Sequence, residues 1–499
     1  MKPRLAALAL CPLALALTLA CGDEPSPPEP AATPAAAPEP APEPAAAEAP
    51  DPRPNLLLVV IDTTRRDRLG TYGYDRPTSP ALDRIAAEGA VYENAVTVAP
   101  WTLPAHASIF TGLYPRDHGA TIESYRLRDD FTTLAEHLEE SGYLTAGFSC
   151  NPWINENNGF TQGFRHYEDI WRDLATDSRD SQGAALATDR ALDWIDTYEP
   201  FRHPWFVFVN LLEPHSPYSP PPPHRYRFVP ESLPLAAVQR VADWGTPREF
   251  GYMLGVPGYE ISEDEFAAMN ALYDGEISYQ DTRLGALVEG LRMRGILDDT
   301  VVAIVSDHGE QLGEHGLLEH KMTLYDENVR VPLVLRHPAT VPAGQRIEAP
   351  VQSHDLFATL LDYAEVEAPL PRDAARLPLD GESPGRSHAV LEFGKPSRVL
   401  QQVARSFPGA DIAAWDRSIR AVRGPRYKLI AWSDGERRLF DLKNDPGEHT
   451  DLAKLLPDKV RELEALLEHF AAGSPEPGAE APEMDAQQIE ALRALGYLP

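Results

Sequence analysis

Cysteine is almost absent from this 499-residue chain: there are three, at 11, 21 and 150. Two fall in or beside the apolar N-terminal stretch, so the body keeps only Cys150. That excludes an intrachain disulfide framework, and the fold must rest on its hydrophobic core. A lone Cys150 reads as a small buried hydrophobe, not as a nucleophile. Basic residues are also in deficit, 45 against 76 acidic ones, for a net charge of −31. Nucleic-acid binding needs clustered Lys and Arg, so no nucleic-acid partner is expected. No apolar run is long enough to span a bilayer as a helix; the N-terminal run, Ala6 to Ala20, is too short. What the chain does have is 43% hydrophobic residues and a length that exceeds one average domain.

The first twenty residues form a targeting segment. Lys2 and Arg4 precede the apolar run, which ends Thr18-Leu19-Ala20-Cys21. This resembles a bacterial lipoprotein signal, and implies that Cys21 is lipidated and becomes the first residue. It departs from the pattern at Thr18, where leucine is usual; an ordinary secretory signal is the rival. From Gly22 to Arg53 the chain is mostly Pro, Ala and Glu, with no base before Arg53. Such a segment cannot bury enough apolar surface to offset its ordering entropy, and reads as a disordered tether over 21–53. Gly22 rather than Asp after Cys21 favours an outer membrane where the usual sorting rule applies.

Globular sequence begins at Pro54. Asn55–Ile61 (NLLLVVI) is continuously apolar, as expected of a parallel strand buried on both faces. Tyr143–Ser149, Trp205–Leu211, Thr300–Ser306 and Val329–Leu335 are similar. Helical patterns lie between them, at Ser79–Glu88, Thr133–Ser141, Ala184–Thr197 and Glu263–Arg294. This alternation predicts a mostly parallel sheet flanked by helices over 54–390. The Pro-rich stretch Pro217–Ser262 interrupts it as an insertion that either shapes the site or is a bare surface excursion. Past 390, Ala421–Trp432 and Arg437–Leu442 read as antiparallel strands and Lys454–Ala472 as a helix. They make a smaller α+β subdomain over 391–472. A linker and a short helix follow over 473–499.

In open α/β sheets ligands bind beyond the carboxyl ends of the strands. Asp62 follows the first apolar run, His215 comes four residues after the third, and Asp307-His308 follows TVVAIVS. One Asp after one strand would be a helix cap; polar ligand-type residues after three strands suggest a shared metal or anion site. In Pro100–Gly112 (PWTLPAHASIFTG), Thr102 and Pro104 suit a helix start. A helix N-terminus offers free N–H groups to an anion, and position 106 shares the face of 102. Alone, Thr102 would read as a simple cap.

Taken together these segments resemble the sulfatases of the alkaline phosphatase superfamily. The resemblance covers about residues 54–465. It is carried by PNLLLVVIDTTRRDRLGTYG from Pro54, TLPAHASIFTGLYPRDHG from Thr102 and EPHSPY from Glu213. TVVAIVSDHGEQLGEHGLLEHKMTLYDENVRVPL from Thr300 and RLFDLKNDPGEHTDL from Arg438 complete it. It implies that Asp62, Asp307 and His308, with Thr102, are metal ligands. It implies that Thr102 occupies the nucleophile position, that His215 and Lys321 meet the ester oxygens or leaving group, and that His106 belongs to the catalytic group. His320 is either a helper or a plain loop residue. Three departures change the chemistry. Sulfatases carry Cys or Ser at the nucleophile position, with Pro two and Arg four residues on, and oxidise it to formylglycine; here these positions are Thr102, Pro104 and His106. The usual aspartate pair becomes Asp62-Thr63, and the usual Asp-Asn pair becomes Asp307-His308.

An imidazole and few carboxylates suit zinc or manganese better than calcium, which remains an alternative. A second metal would need further ligands, for which His215, Asp355, His354 and His315 are candidates. The expected function is a metal-dependent hydrolase or transferase of phosphate or sulfate esters. Its substrate would be a small molecule, glycan or lipid ester, and the enzyme would be exported and held at a membrane by its lipid. The alternatives are a sulfatase working without formylglycine and an inactive lipoprotein that binds anionic glycans. Oligomeric state is left open.

Overall fold

The computed structural model describes residues 51–174, 183–198, 203–471 and 482–495. The expected signal peptide, the lipidation site at Cys21 and nearly all of the tether lie outside the described residues. The described residues form one compact unit.

The apolar runs become strands because no face of them is polar. The central sheet has eight strands: β1 (Asn55–Ile61), β2 (Ala90–Tyr92), β3 (Leu144–Ser149), β4 (His166–Asp169), β5 (Trp205–Leu211), β6 (Thr300–Val305), β7 (Leu333–Arg336) and β8 (Gln345–Ile347). Their spatial order is β8-β2-β7-β6-β1-β5-β3-β4. β1 lies between β5 and β6, parallel to both, with Leu58 opposite Phe208 and Ala303. Leu56, Leu58 and Val60 of β1 point into one core with Phe206 and Phe208; Leu57, Val59 and Ile61 point into another with Val207 and Val209. Burial on both faces removes any need for polar alternation. At roughly 1.5–3 kcal/mol per buried aliphatic side chain, β1 alone anchors the sheet.

The helices are α1 (Pro80–Ala87), α2 (Thr102–Thr111), α3 (Leu134–Glu140), α4 (Ala184–Tyr198), α5 (Glu263–Met293) and α6 (Asp355–Tyr363). α2 packs on the first face through Leu103, Ala107 and Phe110. α4 and α5 cover the second through Ala187, Ala191, Leu272 and Leu284. α5 starts at a capping box in which the Ser262 and Glu265 side chains each meet the other's backbone N–H. Cys150 is fully buried in the second core, and burial pushes its thiol well up.

Val329–Leu335 is not a continuous strand: Asp326–Val329 is a helical turn, and β7 begins only at Leu333, antiparallel to β6. Pro332 has no N–H to give to a ladder, so regular pairing starts after it. The stretch 217–262 holds the helices Leu235–Ala242 and Thr246–Met253.

A second, antiparallel sheet forms the C-terminal subdomain: β9 (Ala389–Phe393), β10 (Ile419–Arg423), β11 (Tyr427–Trp432) and β12 (Arg437–Asp441), in that order. Leu463 and Leu467 of the helix Pro457–Ala471 pack on it. Val98 and Ala99 insert into the same core, and the Glu392 N–H donates to the Val98 carbonyl at 3.0 Å. The subdomain therefore grips the segment that leads into α2. A further tie is a buried ion cluster: Lys428 lies 2.8 Å from Asp326 and 3.0 Å from Glu448, and Arg423 binds Asp326 at 2.9 Å.

Candidate active site

The adjacent strands β6, β1, β5 and β3 deliver their carboxyl ends to one place, where Thr102 at the N-terminus of α2 meets them. Asp62 follows β1 directly, Asn151 is two residues beyond β3, Asn210 is the penultimate residue of β5, and Asp307 and His308 lie just past β6. All five are buried without measurable exposure, as are Thr102 and His106. Ligand atoms of Asp62, Asp307 and His308 lie within 4.8 Å of one another, the one such cluster among the described residues.

Thr102 is not a helix cap. Trp101 occupies the cap position, and no side chain caps this helix. The Thr102 Oγ1 lies 3.3 Å from His308 Nε2 and 3.4 Å from Asn151 Nδ2. Asn151 Nδ2 also donates to Asp62 Oδ2 at 2.7 Å, so one amide holds both groups. Asp307 Oδ1 accepts the N–H groups of His308 at 2.9 Å and Thr63 at 3.3 Å. That leaves two buried oxygens, Asp62 Oδ1 and Asp307 Oδ2, with no hydrogen-bond donor.

The histidine tautomers follow from their partners. His308 Nδ1 is 2.9 Å from the Gly309 carbonyl, which can only accept, so Nδ1 carries the proton and Nε2 presents a lone pair. Nε2 is 3.4 Å from Asp307 Oδ2 and 3.8 Å from Asp62 Oδ1. His215 is fixed the same way by the Ser216 carbonyl at 2.6 Å. His106 gives its Nδ1 proton to the Thr102 carbonyl at 2.9 Å; Asp307 Oδ2 is 3.5 Å from the same Nδ1, and Asn210 Nδ2 is 3.5 Å from Nε2. His106 thus braces the first turn of α2 against Asp307 from below.

Burial dominates the electrostatics. It pushes the Asp62 carboxyl up to about 7, against the Asn151 and Asn210 amides, which lower it. Burial and the neighbouring Asp62 drive Asp307 well above the carboxylate range. Burial lowers His106 and His215 to about 4 and His308 well below its usual value, so all three are neutral near pH 7. Two buried carboxylates with undonated oxygens, facing a neutral imidazole lone pair and a hydroxyl, form a site that a divalent cation fits. The donor set of two carboxylates and one imidazole resembles that of zinc and manganese sites more than calcium's all-oxygen cage.

Lys321 sits beside Glu319 at 3.2 Å. The His320 ring lies between those of His215 and His308, 5.0 and 4.4 Å away, with its Nδ1 3.1 Å from Glu310. The proposed extra metal ligands lie elsewhere. Asp355 is paired with Arg386 at 2.9 Å, His354 packs on Tyr114, and His315 stacks on Tyr325 at 3.8 Å. Of that set only His215 is in the site region, beside His320. Asn151 and Asn210 went unrecognised from sequence. The signal was available, since both sit at carboxyl ends of apolar strands, but a neutral amide does not announce itself as a ligand.

Fold and site define an α/β ester hydrolase of the alkaline phosphatase type, with a buried Asp-Asp-His cluster beside the head of a helix. The sulfatase family model matches residues 54–366, and the C-terminal model of N-sulphoglucosamine sulphohydrolase matches residues 313–469. The chain belongs to the sulfatase family. It is 26% identical to arylsulfatase K of Canis lupus familiaris over 455 residues, 83% of this chain and 82% of that one. It is 25% identical to the N-acetylglucosamine-6-O-sulfatase of Bacteroides thetaiotaomicron over 83% of this chain and 86% of that one. Among solved structures, the phosphonate monoester hydrolase of Agrobacterium radiobacter superimposes with a TM-score of 0.68. That match has 24% identity and covers 85% of this chain and 96% of that one.

Proposed function

We propose that this chain is a metal-dependent hydrolase, or transferase, of phosphate-type esters that uses Thr102 as its nucleophile. The observation that supports this most directly is the Thr102 hydroxyl, wholly buried, 3.3 Å from His308 Nε2 and turned away from any capping role. Threonine cannot yield the formylglycine aldehyde, so no geminal diol is available to eliminate sulfate. A threonine ester must be broken by attack at the central phosphorus or sulfur, the route that phosphoryl-transfer enzymes use. Asp62, Asp307, His308 and Thr102 would hold the cation, with zinc or manganese preferred. When bound, it supplies Lewis-acid stabilisation of the charged oxygens.

The chain's own groups divide the remaining work. N–H groups at the head of α2 face the incoming anion. Thr102 Oγ1 forms the new bond to phosphorus while the bond to the ester oxygen breaks. The Thr102 proton ends on the departing oxygen, which His215, with its Nδ1 proton held by the Ser216 carbonyl, meets. The Lys321 ammonium offsets the negative charge. Water then attacks the phosphothreonine, freeing the product and returning a proton to Thr102.

A sulfatase acting without formylglycine is the second reading, favoured by the sulfatase names of the relatives. Matched nitrophenyl phosphate, phosphodiester, phosphonate and sulfate esters, run with several metals, separate the two. The expected result is faster phosphoester turnover, unmodified threonine at 102 by mass spectrometry, loss of most turnover in Thr102→Ala and partial retention in Thr102→Ser. A clear preference for sulfate, or near-normal Thr102→Ala, overturns the phosphoester mechanism. The apolar run ending at Cys21 and the tether behind it support an exported enzyme, lipid-anchored to a bacterial membrane.

A further inference from the structure

The insertion's second helix, Thr246–Met253, carries a glutamate that the site chemistry has not used. Glu249 is 5% exposed, and its Oε1 accepts from the Ser216 hydroxyl at 2.9 Å. Ser216 is the residue whose carbonyl fixes the His215 ring. On its other side the Glu249 carboxyl lies within hydrogen-bonding reach of Glu319, the partner of Lys321. Glu249 Oε2 has no donor from any N–H or O–H group. The insertion's arginines are engaged with other groups: Arg240 with Glu265 at 3.0 Å, Arg248 with the Glu260 carbonyl at 2.6 Å, Arg225 with Ser219 at 2.9 Å and Arg227 with Ser278 at 2.7 Å. The other groups facing it are Glu310 and Tyr218.

Two buried carboxylates side by side cannot both stay ionised, and sharing one proton is the low-energy arrangement. Burial and Glu319 raise Glu249 well above its usual range. Glu319 sits below its own: burial would raise it, but Lys321, the hydrogen bond from Glu249 and the neighbouring His215 together outweigh that. The proton therefore belongs to Glu249, which donates to Glu319.

We propose that Glu249 is a positioning residue: as a neutral carboxylic acid it bridges the His215 loop, through Ser216, to Lys321, through Glu319. The insertion is thereby built into the catalytic apparatus and is not a bare surface excursion. The inference rests on His215 and Lys321 acting as proposed above.

The bridge needs a donor and an acceptor at the right reach, and no charge. Glu249→Gln supplies both, with its amide N–H toward Glu319 and its carbonyl toward Ser216. Glu249→Leu supplies neither, and Glu249→Asp keeps the carboxyl but is one methylene short. The measurement is kcat and KM of the metal-loaded full chain on nitrophenyl phosphate, with bound metal and Tm recorded for each variant. His215→Ala and Lys321→Ala serve as references, each expected to lose roughly 100-fold or more in kcat. Glu249→Leu should lose ~10–100-fold in kcat with KM within about 3-fold and metal content unchanged, the usual scale for groups that orient others. Glu249→Gln should recover to within about 3-fold of wild type. If the Leu variant does not fold, the Asp variant replaces it, and slower turnover by Asp than by Gln is the expected order. Normal kcat in Glu249→Leu while both references are inactive overturns the bridge. So does Glu249→Gln as slow as Leu or slower than Asp. Normal kcat in both references instead overturns the assignment of His215 and Lys321, on which the bridge depends.

Discussion

Replacing Asp307 by asparagine should stabilise the metal-free protein while weakening its hold on metal. Asp62 and Asp307 are wholly buried, with ligand atoms within 4.8 Å of each other. Two unit charges at that separation repel by about 3.5 kcal/mol at an effective dielectric near 20. Without a cation the protein must bear that repulsion or take up a proton, and the raised pKa of both groups points to proton uptake. The carbonyl of the substituted amide would keep the two backbone N–H bonds now received by Asp307 Oδ1, and its NH2 would stand where the undonated Oδ2 faces Asp62. The sign with pH follows from the raised pKa. A carboxyl whose folded pKa is raised costs nothing below its unfolded value near 3.8, and the cost grows as pH rises toward the folded value. The advantage of apo Asp307→Asn should therefore be near zero at pH 4 and up to about 3 kcal/mol at pH 7. For a unit this large that is a rise of roughly 3–7 °C in Tm. Differential scanning calorimetry of chelator-treated proteins, with and without added zinc or manganese, reads both effects. An apo variant less stable than apo wild type, together with an undiminished metal-induced rise in Tm, would refute the assignment of Asp307 as a ligand.

Asn151→Leu removes the donor shared by Asp62 and Thr102; kcat should fall ~10–100-fold and metal affinity with it, measured by turnover and metal titration. Lys428→Met strands the buried Glu448 and weakens the clamp on Asp326. It should cost ~3–5 kcal/mol in urea unfolding. Burial already raises Glu448 to about 8, so the loss should be larger at pH 8 than at pH 5, where protonation relieves it. Cys21→Ala should release the protein from membranes; a variant that stays bound, with no lipid on wild type by mass spectrometry, refutes the anchor.

The sequence by itself determined the sheet, because runs such as NLLLVVI have no polar face and can only be strands buried on both sides. The same alternation located Asp62, Asp307 and His308, since residues that end such strands must emerge at one edge. It could not tell which of several histidines converge there. His354 and His315 look as ligand-like as His308 along the chain, and only folding sends them to Tyr114 and Tyr325 instead. It also could not reveal Asn151 or Asn210, whose roles are set by distances of a few ångströms across strands far apart in sequence. Pro332 broke the strand expected at Val329–Leu335 through a missing N–H, a local effect that hydrophobicity alone hides. Tertiary structure alone decided that Thr102 turns toward His308 instead of capping its helix, and that Glu249 reaches the site from an insertion. Both depend on side-chain direction in a closed space, which depends on every element that encloses it.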